Sequence, residues 1–254
     1  MILTIDVGNS NSVFVAYDAL RKRIYDARYV TPKDESKESF ADFIKSCLEP
    51  VQAIEPIEDF IISSVVPTIT EGLLKALRSS LGVQGHVCTV DLVPHLKVNL
   101  ENPRDIGADL IATTMGALRL NKLPAIVVDM GSATKITVVE HPNVFKGGLI
   151  LPGLKISQDA LNQFIPHLPH IPLLVPDELI GTNTVKAMQS GLMYSAIESV
   201  IGISNRIEET LGQPCYRLLT GGLSNPVKEH LSMFQFEPFL LSDGLIEIYD
   251  NLSH

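Results

Sequence analysis

Short apolar runs separated by polar turns open the chain. Ile2 to Ile5, Val13 to Tyr17, Ile24 to Val30 and Phe60 to Ser63 have the length and residue types of β-strands. Between and beyond them the period lengthens. Lys37–Leu48 and Ile69–Leu81 read as helices, the second with Leu73, Leu74, Leu77 and Leu81 recurring at helical spacing. In "ENPRDIGADLIATTMGALRL", Asn102 suits an N-cap, Pro103 the first helical position, and Asp105 the first turn, where the helix dipole favours an anion. One helix from Pro103 to about Leu120 is expected.

The opening pattern then returns. Ala125 to Val128 runs into Asp129, turns through Gly131, Ser132, Ala133 and Thr134, and continues as a strand at Ile136–Val139, with a third at Val144–Ile150. Asp6-Val7-Gly8 therefore aligns with Asp129-Met130-Gly131. Three strands and a helix, twice over, predict a duplicated α/β unit with its boundary near Leu120–Pro124, hence domains of residues 1–120 and 121–254. A long helix is expected over Thr182–Leu211, on the stripe Val185, Met188, Leu192, Ser195, Ser199, Ile203, Ile207 and Leu211. A strand and turn follow in "CYRLLTGGLSN", then a helical stretch near Leu245–Tyr249. The prolines from Pro166 to Pro176 mark a loop, in which His167 and His170 are expected at the surface.

Composition narrows the class. The 254 residues are 45% hydrophobic and 19% charged, with mean hydropathy +0.21, which suits a globular chain. No apolar stretch approaches the ~20 residues needed to span a bilayer, and the first strand meets Asp6 too soon for a signal peptide. A cytoplasmic protein with no membrane partner is expected. Cys47, Cys88 and Cys215 are far apart and odd in number, as for reduced thiols. The net charge of −9 argues against nucleic acid as a partner, since a general nucleic-acid binder needs a basic face to release counterions.

A single Asp-x-Gly turn is most simply a hairpin, since both residues are common in turns. Two at equivalent positions of a duplicated chain suggest more. Were the halves to face each other, both turns would meet where ligands commonly bind. Gly8 and Gly131 would let backbone N–H groups approach phosphate oxygens, and Asp6 and Asp129 could hold a hard cation that bridges to phosphates. Asn9, Ser10, Asn11, Ser132 and Thr134 add neutral hydrogen-bonding groups. Gly221 and Gly222 are either an ordinary turn or a flat backbone surface against an adenine or ribose. Phosphoryl transfer, which needs positioning and charge neutralisation, fits this inventory. The chain has no G-x-x-x-x-G-K-[ST], G-x-G-x-x-G or H-E-x-x-H motif.

"DVGNSN", "SSVVP", "NPRDIGAD", "VVDMGSAT", "GGLILPGLKIS", "GTNTVKAMQSG" and "TGGL" occur in an order that resembles the bacterial type III pantothenate kinases, along essentially the whole chain. The resemblance implies an α/β fold of two duplicated ribonuclease-H-like, actin-like ATPase domains with a nucleotide cleft between them. It implies transfer of the γ-phosphoryl of ATP to the hydroxyl of pantothenate, the first step of coenzyme A synthesis, in a homodimer. Asp6 and its loop, Val7, Gly8, Asn9, Ser10, Asn11, Ser12 and Val13, would hold the phosphates and, through them, Mg²⁺. Ser132 would touch ATP, and Asp129 would bind a monovalent cation, K⁺ or NH₄⁺. Gly107, Ala108, Asp109, Leu110 and Thr184 would meet pantothenate, with Asp109 the catalytic base. On the expected helix Asp109 shares a face with Ile106, Leu110, Thr113 and Ala117. A carboxylate there is either functional or a buried, hydrogen-bonded structural group.

The chain departs from the family pattern at several positions. Leu110 stands where Arg follows "GAD", Leu100 where an aromatic precedes "NP", Lys135 and Thr137 after "GSAT", and Ile165 in the run before Pro169. Losing an Arg that could pair an acceptor carboxylate is not a conservative change. Two readings of Lys135 stay open: a replacement charge for acceptor or phosphate, or a solvated surface lysine. A kinase for another small alcohol and a non-catalytic nucleotide-binding regulator are the alternatives to pantothenate phosphorylation.

Overall fold

The computed structural model describes residues 1–33 and 39–252. The chain forms two units, Met1–Leu120 with Leu240–His254, and Asn121–Phe239. The first contains strands β1 (Ile2–Val7), β2 (Asn11–Tyr17), β3 (Arg23–Val30), β4 (Asp59–Ser64), β5 (His86–Val87) and the two-residue β6 (Lys97–Val98). Its helices are α1 (Phe40–Gln52), α2 (Pro67–Leu81) and α3 (Ala108–Arg119). The second unit contains β7 (Ala125–Met130), β8 (Ala133–Glu140), β9 (Val144–Pro152), α4 (Leu154–Phe164), α5 (Thr184–Leu211), β10 (Tyr216–Thr220) and β11 (Gln235–Phe236). The last helix, α6 (Leu240–Leu252), was expected with the second half and lies with the first.

The duplication extends to strand order. The first sheet runs β3-β2-β1-β4-β5, and β9-β8-β7-β10-β11 repeats it in the second unit. In both, the central strand pairs antiparallel with the next strand in sequence and parallel with a later one. Alternation along the strands then gives each sheet two faces. In the first unit Leu3, Ile5, Val7, Phe14, Phe60 and Ile62 pack on Phe43, Ile44 and Leu48 of α1 and Leu73 and Leu77 of α2. The opposite face meets α3 and α6. In the second unit Ile126, Val128, Met130, Ile136 and Leu219 pack on Leu154 of α4 and on Met193, Ile197 and Val200 of α5.

Several expectations change. In place of one helix from Pro103, a 3₁₀ turn at Pro103–Asp105 closes under the Asn102 side chain, which accepts from Arg104 N and donates to Asp105 Oδ1. Short polar side chains bonding to nearby groups compete with helix continuation. Ile106 is extended, and α3 starts afresh after Gly107. The helix α4 was not expected, and β5, β6 and β11 are too short to carry a period. Along α5 the buried residues are Met188, Ser190, Leu192, Met193, Ile197, Val200 and Ser204, so beyond Leu192 none of the expected stripe positions is among the buried ones. Residues 37 and 38, the expected start of α1, lie outside the described residues.

The helix α6 is fixed to the first unit by close backbone approach. A Cβ on Gly244 would fall on the Ala112 carbonyl, and one on Gly116 on the Leu240 carbonyl. The Tyr17 hydroxyl donates to Asp243 at 2.7 Å, and burial together with that carboxylate pushes the phenol far above its ordinary value. Gly202 of α5 is exposed and has open space around it. Gly244→Ala is therefore expected to destabilise by about 1–3 kcal/mol or more through overpacking. Gly202→Ala is expected to stabilise by roughly 0.5–1 kcal/mol. Chemical denaturation of the two variants checks both signs.

Candidate functional site

In the first unit the site grows from the end of β1. Asp6 pairs in register with Val13 on β2 and with Ser63 on β4, so these three side chains share the face met by α3 and α6. After Asp6 the chain turns tightly. Gly8 N donates to Asn11 O at 3.0 Å, and a Cβ on Gly8 would stand 3.1 Å from that oxygen. The turn is braced from below: Ser12 and Thr31 hydroxyls bond at 2.9 Å, and Thr31 Oγ1 donates to Gly8 O at 2.7 Å. Asn9 and Ser10 stand exposed at its tip, between half-buried Gly8 and Asn11.

Asp109 is the second residue of α3. Leu110 N donates to its Oδ1 at 2.8 Å, and the Thr113 hydroxyl donates to its carbonyl at 2.9 Å. Gly107 makes room, since a Cβ there would lie 2.8 Å from Asp109 Oδ1. Cys88 lies nearby: its backbone N–H extends the sheet to Ile62 O at 2.8 Å, and its thiol donates to Ala108 O at 3.5 Å, one residue before Asp109. Burial first, then the charges of Asp109 and Asp6, push this thiol up to about 12. Both carboxylates thus act on one buried group, which keeps its proton and adds no third negative charge. Ser63 was not singled out from the sequence. Its hydroxyl is fully buried, on the face of Asp6, with no hydrogen-bond partner among the described residues. Such a group in a native fold calls for a ligand or water.

The second unit repeats the geometry with one change. Asp129 pairs in register with Lys135 on β8 and with Thr220 on β10, as Asp6 does with Val13 and Ser63. Its turn is one residue shorter, Gly131 N donating to Ala133 O at 3.1 Å. Lys135 Nζ lies 2.8 Å from Asp129 Oδ2, with side chains only 17% and 14% exposed. This lysine is neither a solvated surface charge nor directed solely to a ligand, because antiparallel register sets it beside the carboxylate. Gly221 has φ +92, and a Cβ there would meet Asp129 Oδ1 and Met130 O, each at 2.5 Å. The "TGGL" turn is held by Leu223 N to Met130 O at 2.8 Å. Gly153 packs on the carbonyls of Gly131 and Ser132. Asp129, Ser132, Lys135, Gly221 and half-buried Gly222 are thereby gathered around one strand end.

Thr184 stands elsewhere in the second unit, exposed at the first turn of α5, where Asn183 caps the helix by accepting from Lys186 N at 3.0 Å. It lines an open pocket of about 750 Å³ together with Leu161, Leu168, Asn183 and Met188. Ile165 ends α4, Thr137 is buried beside Gly148, and Leu100 and Leu110 are half-buried. No cluster of three or more His, Cys, Asp or Glu side chains set to hold a metal exists among the described residues. Among them, no helix is long and apolar enough to cross a membrane.

Removing the Ser63 hydroxyl deletes no hydrogen bond to the described residues, so Ser63→Ala is expected to leave the melting temperature of the ligand-free protein unchanged or slightly raised. Differential scanning calorimetry would show a drop if the hydroxyl instead had a structural partner.

The chain is similar to known proteins over its whole length. A solved structure, component A of the (R)-2-hydroxyglutaryl-CoA dehydratase of Acidaminococcus fermentans, superposes with TM-score 0.58 at 14% identity, over 99% of this chain and 98% of that one. A polyphosphate/ATP-glucomannokinase from Arthrobacter sp. strain KM superposes with TM-score 0.52 at 16% identity, over 100% and 99%. These likenesses show the fold alone, two mixed sheets with helices packed on them. A type III pantothenate kinase from Exiguobacterium sp. is 34% identical over 252 residues, 98% of each chain, and the family model for type III pantothenate kinase matches residues 2–206. With that extent of agreement, and with the paired Asp-x-Gly turns in place, the chain belongs to the type III pantothenate kinase family.

Proposed function

We propose that the protein phosphorylates pantothenate with ATP, the entry to coenzyme A biosynthesis, with Asp109 as its general base. Family membership carries the reaction. For the base, the supporting observation is the Asp109 carboxylate at the start of α3, with Oδ1 held by Leu110 N–H and cleared by Gly107. In the transfer, the pantothenate hydroxyl oxygen bonds to the γ-phosphorus while the bond from that phosphorus to the bridging oxygen of ADP breaks. The hydroxyl proton passes to Asp109, as in other phosphoryl-transfer sites. Leu110 N–H fixes how the carboxylate is aimed before the acceptor arrives, which lowers the cost of reaching the reactive geometry.

A kinase of this family takes ATP with a divalent metal. Asp6 and the Val7–Val13 turn are the residues that would hold it. One carboxylate is what Mg²⁺ ordinarily takes from a protein when phosphates and water supply the rest, and the orphaned Ser63 hydroxyl on the same face is a further polar contact. When bound, the ion would neutralise charge on the phosphates. Ser132, Gly221 and Gly222 serve the nucleotide in this reading. Gly107, Ala108, Leu110, Leu100 and Thr184 serve pantothenate, with Leu110 replacing a charged contact by an apolar one. The monovalent cation expected at Asp129 meets a carboxylate already engaged by Lys135.

A homodimer is part of the proposal, supported by apolar surface on the second unit. Phe164, Leu174, Leu179 and Ile180 are 79, 59, 62 and 81% exposed, and apolar surface of this kind marks an interaction site where it is contiguous. A cytoplasmic location suits the metabolic role.

Asp109→Asn is expected to lower kcat by roughly 10²–10⁴-fold while Mg-ATP still raises the melting temperature. Full activity in that variant would remove Asp109 as base. Gly107→Ala displaces only the end of the Asp109 side chain, so stability should hold while kcat falls by up to about 10²-fold. Light scattering at assay concentration should give twice the chain mass.

A further inference from the structure

The two equivalent aspartates are not treated alike by this chain. Asp6 and Asp129 occupy the same place on matching strands, each beside a hydroxyl residue across the parallel pair, Ser63 and Thr220. Across the antiparallel pair they differ. The residue opposite Asp6 is Val13, which carries no charge, whereas the residue opposite Asp129 is Lys135. Its ammonium lies 2.8 Å from Asp129 Oδ2 with both side chains largely withdrawn from water. The Gly221 backbone closes on the other oxygen so tightly that a Cβ would stand 2.5 Å from Oδ1.

We infer that Lys135 supplies from within the chain the single positive charge that Asp129 would otherwise take from a dissolved monovalent cation, making the enzyme independent of K⁺ and NH₄⁺. Asp129 and its surroundings do not fit such an ion. A primary ammonium carries the same charge as K⁺ or NH₄⁺ and offers hydrogen-bond donors to the carboxylate. It is also tethered, so no ion has to be bound from solution to neutralise Asp129. A dissolved cation at Asp129 would have to displace the Lys135 ammonium, taking the carboxylate from a largely buried positive charge, which is costly. The alternating strand geometry makes the arrangement local: residues 129 and 135 are neighbours wherever β7 and β8 pair in this register.

The inference rests on the proposed kinase reaction for its rate readout and is independent of it for its binding readout. Wild-type protein is assayed with Mg-ATP and pantothenate in KCl, NH₄Cl, NaCl and choline chloride at equal ionic strength, beside Lys135→Ala and Lys135→Met, the second keeping most of the apolar stem. Wild-type rates should agree within about twofold across the salts, as expected when no cation binds with the reaction. Both variants should become dependent on the cation, with KCl or NH₄Cl restoring about tenfold or more over choline chloride as the ion takes the vacated place. Melting temperatures in the same salts supply the second readout. Wild type should not distinguish KCl from choline chloride, and the variants should gain about 2–4 °C in KCl, the size expected from a weak site near saturation. A wild type activated tenfold or stabilised by K⁺ would overturn the inference, as would folded variants indifferent to the cation in both readouts. If no salt supports pantothenate phosphorylation, the kinase reading fails, and the melting temperatures still decide the cation question.

Discussion

Backbone hydrogen bonds between β7 and β8 set Asp129 and Lys135 side by side, and those between β1 and β2 set Asp6 beside Val13. Strand register is the constraint on which the chemistry of both units depends. Slipping either pairing by one residue would turn the carboxylate to the opposite face and bring the apolar neighbours into its place. Register is in turn held by burial. Ile5 and Val7 flank Asp6, Val128 and Met130 flank Asp129, and all four are almost fully buried, so a slip would expose the core along with the site. Hydrophobic packing on one face therefore fixes the polar arrangement on the other.

Close approach of backbone is the second constraint. Gly107 and Gly221 lie in different units and do related work. Each clears space beside an aspartate oxygen where a Cβ would stand within 2.8 Å. Gly221 adds a positive φ that other residues rarely adopt. A carboxylate pressed against backbone in this way has few orientations available, so its aim is set by the fold before a ligand binds. The charge arrangement follows the same logic. The neutral thiol of Cys88 lies where Asp6 and Asp109 both act on it, and an ionised group there would oppose any anionic phosphate.

The C-terminal helix shows how packing overrides chain order. Its sequence, an apolar stripe with Gly244 in the middle, fits a groove on α3 in which Gly116 and Gly244 allow the two backbones to touch. Tyr17 and Asp243 then join across the same surface. Nothing in the local pattern of Leu245–Tyr249 states which unit it will cover, because an amphipathic stripe specifies that a face is buried and not where.

The sequence by itself determined the duplicated α/β plan, the two Asp-x-Gly turns, the helices with strong period and the family. Each of these is a local or repeated pattern, written in alternation, spacing and motif order. It also drew attention to Lys135 as a departure, without fixing its partner. Only the tertiary structure decided that Lys135 meets Asp129, that the hydroxyl of Ser63 lies orphaned on the face of Asp6, that the helix bearing Asp109 begins at Ala108 and not at Pro103, and that α6 returns to the first unit. The reason is common to all four. A single chain segment records which residues are apolar and how they recur, whereas cross-strand neighbours, competing side-chain bonds at a helix start and the choice of a packing partner arise only when segments distant in sequence are brought together.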